Sequence, residues 1–501
     1  MEMKGGVLMR AIMIQGTSSD VGKSVLCTAL CRIFVNDGYR VAPFKSQNMA
    51  LNSYITKDGG EIGRAQGVQA EAAKVEATTD MNPILLKPKG DMTSEVILHG
   101  KHFANMDAFS YRDDFVETVM PEVRASLARL AHQYDLLVLE GAGSPAEINL
   151  KKRDIANMRM AHETNADVIL VADIDRGGVF ATIVGTLMLL DEEERQRIKG
   201  IVINKFHGIK ELLADGVDWL ENYTGIPVLG VIPYFDVQIE AEDSLALSSL
   251  RFKKPRQDEF AIDVAVIRLP HISNFTDLDP LFEEPGVGVR FITSISEIKN
   301  PDVLIIPGTK NTVDDFLWLQ RLGLMQEVQK LAIQGCQIIG ICGGYQMLGE
   351  TIRDEQAIES SGGTYLTLGL LPIETTFIGE KQTVQVTGKS CTGHDIAGYE
   401  VHLGRSVATA PVQPFITFDD GREDGVYTPK IIGTYVHGIF QNRLFTREYF
   451  NEIRKQKGLE PVSTNVISDF EHREQAYEML DQHVRKHLNM DKIYHLIHTQ
   501  Q

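Results

Sequence analysis

Two reactive side chains, a cysteine and a histidine, each follow a short apolar run that predicts a buried strand. Cys342 comes directly after residues 338–341 and is followed by two glycines and a helical stretch, while His437 follows a second predicted strand. A sharp turn from strand to helix exposes the cysteine and favours its thiolate. His437 can then act as general base and acid. Gly308 and Gly343 can offer backbone N–H groups for an oxyanion hole.

The remaining cysteines give no comparable signal. The chain has five cysteines in 501 residues, an odd number without the paired spacing of metal ligands. Such usage indicates a reducing compartment, and we expect a cytoplasmic protein without disulfides. A buried cysteine usually acts as a small apolar side chain. We interpret four cysteines in this way, namely Cys27, Cys31, Cys336 and Cys391.

A second chemical signal lies near the N-terminus, where a predicted strand runs into a glycine-rich turn. The turn begins at Gly16 and ends in Gly22, Lys23 and Ser24, after which a helix is predicted. This layout aims backbone N–H groups at phosphate. Lys23 would reach the β- and γ-phosphates of ATP, and the Ser24 hydroxyl would bind Mg²⁺. Five residues separate Gly16 from Gly22, one more than in the strict pattern, whose first position is Thr17.

Carboxylates at the ends of predicted strands supply candidates for the metal side of this site. Glu140 follows the strand of residues 135–139 and precedes Gly-Ala-Gly, which is where an acid that assists Mg²⁺ belongs beside a phosphate loop. Asp20 lies inside the loop, where it could assist the metal or the substrate. Asp173 and Asp175 also put acids at the end of a strand.

Polar and basic side chains in two further segments predict a pocket for an anionic substrate. Residues 43–53 follow a short strand and are rich in hydrogen-bonding side chains, and residues 82–89 place two lysines beside a proline turn. A single lysine is more often a solvated surface charge, but several in an acidic chain indicate a local positive site. The candidate substrate-binding residues are Lys45, Gln47, Asn48, Asn52, Arg64, Lys87, Lys89, Asp173 and Asp175.

The elements that must position these groups form a repeating pattern of short apolar runs and helical stretches. The runs at residues 136–139, 168–171 and 201–203 each predict a parallel strand covered on both faces. The pattern therefore predicts an α/β fold with two doubly wound, mostly parallel sheets. We expect a P-loop domain at residues 1–250, a polar linker at 251–256, a second α/β domain at 257–446 and a helical extension at 447–501.

The overall charge excludes several classes of protein. Fifty Lys and Arg against 68 Asp and Glu give a net charge of −18. Binding to nucleic acid and polybasic attachment to a membrane both need positive fields, so we expect neither. No apolar run reaches the roughly 18 residues of a membrane span, and we find no signal peptide. Whether the chain forms a homo-oligomer stays open.

Both chemical segments resemble known protein classes. The segments around Cys342 and His437 resemble the class I glutamine amidotransferase domain, in which a thiolate attacks the side-chain amide of glutamine and ammonia is released. The N-terminal loop resembles the dethiobiotin synthetase branch of P-loop proteins, in which ATP activates a carboxylate. The glutaminase class carries a glutamate two residues after the histidine, where this chain has Ile439. Either the backbone or another side chain orients His437, or the domain is impaired.

Together the two halves resemble the cobyric acid synthase family of cobyrinate amidotransferases, to which the missing glutamate also points. The resemblance runs from residue 16 to about residue 443. One segment departs from the family pattern at His207 and Ile209, which leaves the contacts of the nucleotide base open. The most specific segments are residues 43–53, 139–149, 172–181, 340–349 and 398–404.

The resemblance implies a complete reaction. The N-terminal domain would bind ATP and Mg²⁺ and phosphorylate carboxylates of a corrinoid, adenosylcobyrinic acid a,c-diamide, at its b, d, e and g side chains. L-Glutamine would release ammonia at Cys342, and the ammonia would pass through the protein to the acyl phosphate. The matching segments offer Gln346, Tyr399 and Glu400 as candidate glutamine-binding residues.

Two other interpretations remain beside this one. A neighbouring enzyme, such as the a,c-diamide-forming synthase or an amidotransferase for another tetrapyrrole or a cell-wall lipid, would share both modules but lack the segment Gln-Asn-Met-Ala-Leu-Asn. A partitioning-type switch ATPase with an inactive glutaminase-like domain would need a denser Lys-Gly-Gly loop and a membrane-binding helix, which we do not find. It would also leave Cys342 and His437 without a role.

Overall fold

Two mostly parallel six-stranded sheets, one in each half of the chain, organise the protein. Their strands alternate with helices, which confirms the predicted α/β class with two mostly parallel sheets. The candidate Lys89 and the predicted linker at 251–256 lie outside the described residues. The computed structural model describes residues 10–88, 93–107, 115–235 and 260–499.

The first sheet is parallel throughout. The strands of this half are β1 (Arg10–Gly16), β2 (Val41–Phe44), β3 (Gln47–Met49), β4 (Ser53–Ile55), β5 (Glu61–Gly63), β6 (Ile84–Pro88), β7 (Thr93–Leu98), β8 (Lys101–Asp107), β9 (Leu136–Glu140), β10 (Asp167–Asp173), β11 (Ile198–Phe206) and β12 (Val228–Pro233). Six of them pair in the order β12-β11-β10-β1-β9-β2. On β1, Met13 enters one apolar cluster and Ile14 another, so both faces of the strand are covered.

Helices follow most of these strands, and the loops between strand and helix gather at one edge of the sheet. Because parallel strands end at the same edge, the residues after β1, β2, β9 and β10 share one cleft. The helices are α1 (Lys23–Asn36), α2 (Arg64–Ala72), α3 (Phe115–Gln133), α4 (Met158–Thr164), α5 (Val179–Leu189), α6 (Glu192–Arg197) and α7 (Ala214–Thr224).

A smaller unit between β2 and α3 faces the second half of the chain. Strands β3, β6, β7 and β8 form a four-stranded sheet, and β4 pairs with β5 as an antiparallel hairpin. Gln385 Nε2 of the second half donates to Ile55 O on β4 at 2.6 Å. The two halves therefore meet at this unit.

The second half contains a parallel sheet and a separate antiparallel one. Its strands are β13 (Ile262–Ile267), β14 (Val287–Ile292), β15 (Val303–Ile306), β16 (Gln337–Ile341), β17 (Thr351–Asp354), β18 (Gly363–Leu366), β19 (Ile373–Ser390), β20 (Asp395–Ala408), β21 (Ile416–Phe418), β22 (Glu423–Asp424), β23 (Val426–Tyr427) and β24 (Ile431–Thr434). The mostly parallel sheet of this half has the order β14-β13-β15-β16-β24-β23, and only its last pair, β24 and β23, is antiparallel.

The long antiparallel hairpin of β19 and β20 was not predicted from the sequence. Most of β19 alternates buried and exposed residues, and it pairs with β20 along most of its length. A strand with one solvated face lacks the continuous apolar run by which we recognised the parallel strands. The hairpin belongs to a sheet of the order β18-β17-β19-β21-β22.

The C-terminal helices return to the first half of the chain. Arg32 of α1 is fully buried, and its guanidinium lies 2.6 Å from Glu474 and 5.2 Å from the centre of the Tyr477 ring. None of the described helices is long and apolar enough to cross a membrane. The helices of this half are α8 (Asp279–Glu283), α9 (Ile295–Ile298), α10 (Thr312–Arg321), α11 (Leu324–Gln334), α12 (Gly343–Leu348), α13 (Arg443–Gln456), α14 (Asp469–His487) and α15 (Met490–His498).

The contacts of buried Arg32 with α14 lead to a prediction about stability. We expect Arg32→Ala to cost about 2–4 kcal/mol, because it removes the partner of two acidic side chains and opens a void beside α14. Thermal unfolding should show a lower midpoint, and trypsin should cleave the C-terminal helices sooner. Arg40→Ala is the control, since its pair with Asp135 lies in solvent. Equal behaviour of the two variants would contradict this role of Arg32.

Candidate active site

The cysteine lies at a strained turn between a strand and a helix. Cys342 follows β16 directly, adopts φ 51° and ψ −108°, and is succeeded by α12. A positive φ is costly for a residue with a side chain and is typical of a nucleophile at such a turn. Cys342 N donates to Thr434 O at 2.8 Å, which fixes the turn against β24. His437 comes three residues after that strand ends, so both reactive groups lie at one edge of the sheet.

A carboxylate orients the histidine. His437 Nδ1 lies 2.6 Å from Asp277 Oδ2, and Gly438 N donates to Asp277 Oδ1 at 2.8 Å. The imidazole is fully buried and stacks on the Tyr399 ring, with the ring centres 5.2 Å apart. Because Nδ1 is taken by Asp277, Nε2 is the nitrogen available to Cys342.

The environment of His437 favours its charged form. Burial alone would lower the pKa of His437, but the charge of Asp277 and its hydrogen bond outweigh burial, and a hydrogen bond with Cys342 adds to them. Together they raise the pKa of His437 to about 10. A positively charged imidazole has a proton on Nε2 that it can donate. The arrangement of the three side chains can supply a nucleophile, a proton carrier and an orienting acid.

The orienting acid was not among the residues predicted from the sequence. Ile439, at the position where a glutamate was expected, is fully buried among apolar residues. Asp277 instead belongs to the 3₁₀ turn Phe275–Leu278, which comes shortly after β13 at the same edge of the sheet. The sequence signal that could have revealed this acid is its place after β13, the first strand of the domain. Its partner is 160 residues away in sequence, so spacing alone did not reveal it.

The two predicted oxyanion-hole glycines lie beside the reactive pair. A Cβ atom at Gly308 would lie 2.8 Å from His437 Cε1, and one at Gly343 would lie 2.7 Å from Thr309 Cγ2. Neither position has room for a side chain, so the backbone itself approaches the centre closely. These contacts bring the loops after β15 and β16 together next to the thiol.

A cavity next to Cys342 is lined by both halves of the protein, including Lys87 of β6 and Lys381 of β19. Gln346 lines it too, and its Oε1 accepts from Thr312 Oγ1 at 3.0 Å. Tyr399 packs on the histidine. The Glu400 carboxylate turns to Arg422, 3.0 Å away. Of the three candidates for glutamine binding, Gln346 is therefore the one on the cavity wall.

A cluster of buried ion pairs joins the two halves of the protein where they meet. Lys381 Nζ lies 2.5 Å from Glu61 Oε2 and 3.4 Å from Glu95 Oε1, and Lys310 also pairs with Glu95. Lys87 Nζ donates to Glu61 Oε1 at 2.6 Å. Burial alone would raise the pKa of Glu61, but the charges of Lys381 and Lys87 hold it below its ordinary value. Burial lowers the pKa of Lys87 to about 8, against the opposing charge of Glu61.

The phosphate loop has a preformed shape. Lys23 Nζ donates to Ser18 O at 2.9 Å and to Gly143 O at 3.1 Å, so the lysine folds back over its own loop. Gly22 has φ 97°, and a Cβ there would lie 2.2 Å from Asn204 Nδ2. Only glycine fits at this position. The loop begins at Gly16, where Thr17 N donates to Val171 O at 2.9 Å.

Glu140 is the centre of a polar group beside this loop. Its Oε1 accepts from Ser24 Oγ at 2.9 Å and from Lys45 Nζ at 2.8 Å, and its Oε2 accepts from Gln69 Nε2 at 2.5 Å. A hydroxyl and a carboxylate oxygen are the hard ligands that Mg²⁺ prefers, so Ser24 and Glu140 fit that ion. The Asp20 carboxylate does not join this group; it lies 3.3 Å from the guanidinium of Arg176.

The structure does not bring the remaining candidate substrate-binding residues together at one site. Asn48 Nδ2 donates to Gln66 Oε1 at 2.9 Å in the small sheet, where Gln47 is half-buried. The Arg64 guanidinium lies 5.4 Å from the centre of the Tyr54 ring. Asn52 and Lys87 lie at the boundary between the halves instead.

Asp173 and Asp175 lie at the end of β10, near the phosphate loop. Asp173 Oδ2 is 3.0 Å from Lys205 Nζ, and Asp175 Oδ1 is 3.5 Å from His207 Nε2. The His207 ring stacks on Tyr234 with the ring centres 4.8 Å apart. These acids therefore face basic side chains at the end of β11, the strand next to β10.

A phosphate loop joined to a cysteine–histidine–aspartate centre defines an ATP-dependent amidoligase with a glutaminase domain. Comparisons with known proteins agree with this class. Residues 12–246 match the family described as CobQ/CobB/MinD/ParA nucleotide binding domain. Residues 263–445 match the CobB/CobQ-like glutamine amidotransferase domain. The matches lie inside the two domains predicted at residues 1–250 and 257–446.

Curated relatives cover nearly the whole chain. A cobyric acid synthase of Geobacillus kaustophilus is 48% identical over 96% of this chain and 96% of its own length. One of Anoxybacillus flavithermus is 50% identical over the same shares of both chains. The chain belongs to the cobyric acid synthase family. It is an ATP-dependent amidoligase that takes its nitrogen from glutamine, as the sequence predicted.

The orienting acid provides a test of the glutaminase centre. We expect Asp277→Asn to slow glutamate release from glutamine by about 10²–10⁴-fold. Burial lowers the pKa of His437, and without that carboxylate the charge and hydrogen bond that most oppose burial are lost, so the pKa falls. Asp481→Asn, a buried acid in α14, serves as the control. Glutamate release close to that of the unchanged protein would contradict the role of Asp277.

Proposed function

We propose that this enzyme amidates the b, d, e and g side-chain carboxylates of adenosylcobyrinic acid a,c-diamide and so forms adenosylcobyric acid. The observation that carries this proposal is the cavity beside Cys342, because its wall combines Lys87 of the synthetase half with residues of the glutaminase half. A nucleophilic cysteine that opens towards an ATP-dependent domain suits transfer of ammonia from one to the other. The name of the relatives supports a corrinoid acceptor.

Glutamine hydrolysis follows from the geometry around the thiol. The Cys342 thiolate attacks the side-chain amide carbon of glutamine, and the N–H groups of Gly308 and Gly343 stabilise the resulting oxyanion. His437 gives its Nε2 proton to the leaving nitrogen, so ammonia and a glutamyl thioester form. Water, deprotonated by the same nitrogen, then hydrolyses the thioester to glutamate. Asp277 keeps the imidazole in place during both proton transfers.

Carboxylate activation belongs to the phosphate loop. A carboxylate is a poor electrophile at neutral pH, so the γ-phosphate of ATP is transferred to it first. Lys23 and the loop N–H groups hold the phosphates and stabilise the charge that moves between them. Ser24 Oγ and the Glu140 carboxylate would hold Mg²⁺, which when bound neutralises charge on the phosphates. Lys45, paired with Glu140, can contact either phosphate or substrate carboxylate.

Release of ammonia inside the protein keeps it reactive. In water at neutral pH ammonia is mostly ammonium, which has no lone pair for attack. The cavity lies between the two halves of the protein, since Lys87 lines it from one half and Lys381 from the other. Ammonia that attacks the acyl phosphate gives the amide and inorganic phosphate.

A local positive site must bind the acceptor, because the substrate carries several carboxylates and the chain has a net charge of −18. Basic side chains at the carboxyl edge of the first sheet supply this field. We assign Lys23, Lys45, Arg176 and Lys205 to it, all within the part of the chain that lines the phosphate loop.

Two substitutions separate the half-reactions. Cys342→Ala should abolish amidation from glutamine and leave amidation from ammonium salts intact, since only the nitrogen supply is lost. Lys23→Ala should stop amidation from either nitrogen source, because activation of the carboxylate comes first. Amide formation is followed by mass spectrometry, with the exposed Lys389→Ala as control. Loss of both activities in Cys342→Ala, or full activity in Lys23→Ala, would contradict the two-site scheme.

The acceptor itself is tested with the purified enzyme. ATP, Mg²⁺, glutamine and adenosylcobyrinic acid a,c-diamide should yield four successive changes of carboxyl to amide in the mass spectrum. No change in mass would refute the corrinoid assignment. Amidation of cobyrinic acid at two positions instead would identify the enzyme as the neighbouring a,c-diamide-forming synthase.

A further inference from the structure

Asn274 connects the glutaminase centre to the synthetase half. Its Oδ1 accepts a hydrogen bond from Ser53 N at 3.0 Å, and its Nδ2 lies 3.4 Å from His437 Nε2. That imidazole nitrogen is the one that exchanges a proton with Cys342, because Asp277 holds the other. Asn274 is buried, with 3% of its surface exposed. One buried side chain thus contacts both halves of the protein at the reacting histidine.

Asn274 also begins the turn that carries the orienting acid. It adopts a left-handed conformation with φ 51° and ψ 38°, and Asp277 is the third residue of the turn Phe275–Leu278. Phe275 N donates to Asn52 Oδ1 at 3.1 Å. The synthetase half therefore holds this turn at two successive residues. Any shift of the turn displaces the carboxylate that orients the imidazole.

The synthetase segment that holds the turn also reaches the phosphate site. Residues 45–53 run from Lys45, whose Nζ lies 2.8 Å from Glu140 Oε1, to Ser53 at the domain boundary. The same carboxylate oxygen accepts from Ser24 Oγ. The γ-phosphate of bound ATP would compete with Glu140 for Ser24 Oγ and Lys45 Nζ. Binding of nucleotide therefore changes the hydrogen-bond partner of Lys45, the first residue of the segment.

We propose that Asn274 is a positioning residue for glutamine hydrolysis, and that residues 45–53 set its position according to whether the phosphate site is occupied. The inference rests on the two-site reaction proposed above. Through this link the protein hydrolyses glutamine fully only when ATP is bound to use the ammonia. The physical link is the pair of buried hydrogen bonds from Ser53 and to Asn52.

Substitutions at Asn274 test the link in the full-length protein. Glutamate release is measured with and without Mg-ATP, and needs no corrinoid. We expect Mg-ATP to raise kcat of the unchanged protein by about fivefold or more, as for a typical coupling between sites. Asn274→Gly keeps the left-handed backbone without strain but removes the amide. It should lower kcat at least tenfold, change the KM for glutamine less than about threefold, and abolish the response to ATP.

Further variants separate the link from general damage. Asn274→Asp keeps the acceptor for Ser53 N and should keep the response to ATP. Asn52→Leu removes the acceptor for Phe275 N and should lose the response, which provides a test if Asn274→Gly does not fold. Asn165→Gly is the matched control, since Asn165 has the same φ of 51° at the end of α4, far from either site.

Several results would overturn the proposal. One is that the unchanged protein releases glutamate at the same rate with and without Mg-ATP. Another is a rise in KM alone for Asn274→Gly, which would make the amide a direct contact of glutamine. An unchanged response in Asn52→Leu would also contradict it. Failure of the corrinoid reaction would instead refute the proposed function, because the response of glutamate release to ATP is read without a corrinoid.

Discussion

The buried charges at both reaction centres are paired, because an ionised group buried without a partner costs several kcal/mol. Both reaction centres follow from this constraint. A charged His437 is possible only with Asp277 against it, and Glu140 stays at the phosphate loop with the ammonium group of Lys45 beside it. In each case the partner comes from a different strand end, so the pairing also fixes how the strands are arranged around the site.

The same constraint shapes the boundary between the domains. Three lysines, Lys87, Lys310 and Lys381, surround two glutamates, Glu61 and Glu95, and all three lysines line the cavity beside the thiol. The lysines of the cavity wall are thus balanced by these two glutamates and by Glu359, which also lines the cavity. The same ion pairs therefore join the two halves of the protein next to the thiol.

The sequence predicted the parts of the site that depend on local pattern. Cys342, His437 and the phosphate loop each follow an apolar run, and the strand ends bring them where expected. Residues that act through distant partners were less predictable. Asp277 meets its histidine only because β13 and β24, with β15 and β16 between them, end at the same edge of one sheet. Lys87, expected in a substrate pocket, lies at the glutaminase cavity because β6 faces the other half. Alternation on β19 gave no apolar run to recognise.

The return of α14 to α1 has a consequence for synthesis of the chain. The helix that follows the phosphate loop is made among the first residues, yet the acids that pair with Arg32 are among the last. On the ribosome, where domains form from the N-terminus onward, this helix keeps an uncovered face until residues 469–487 have been made. The nucleotide-binding half therefore completes its packing after the glutaminase half has emerged, and a truncated chain would display that face to chaperones and proteases.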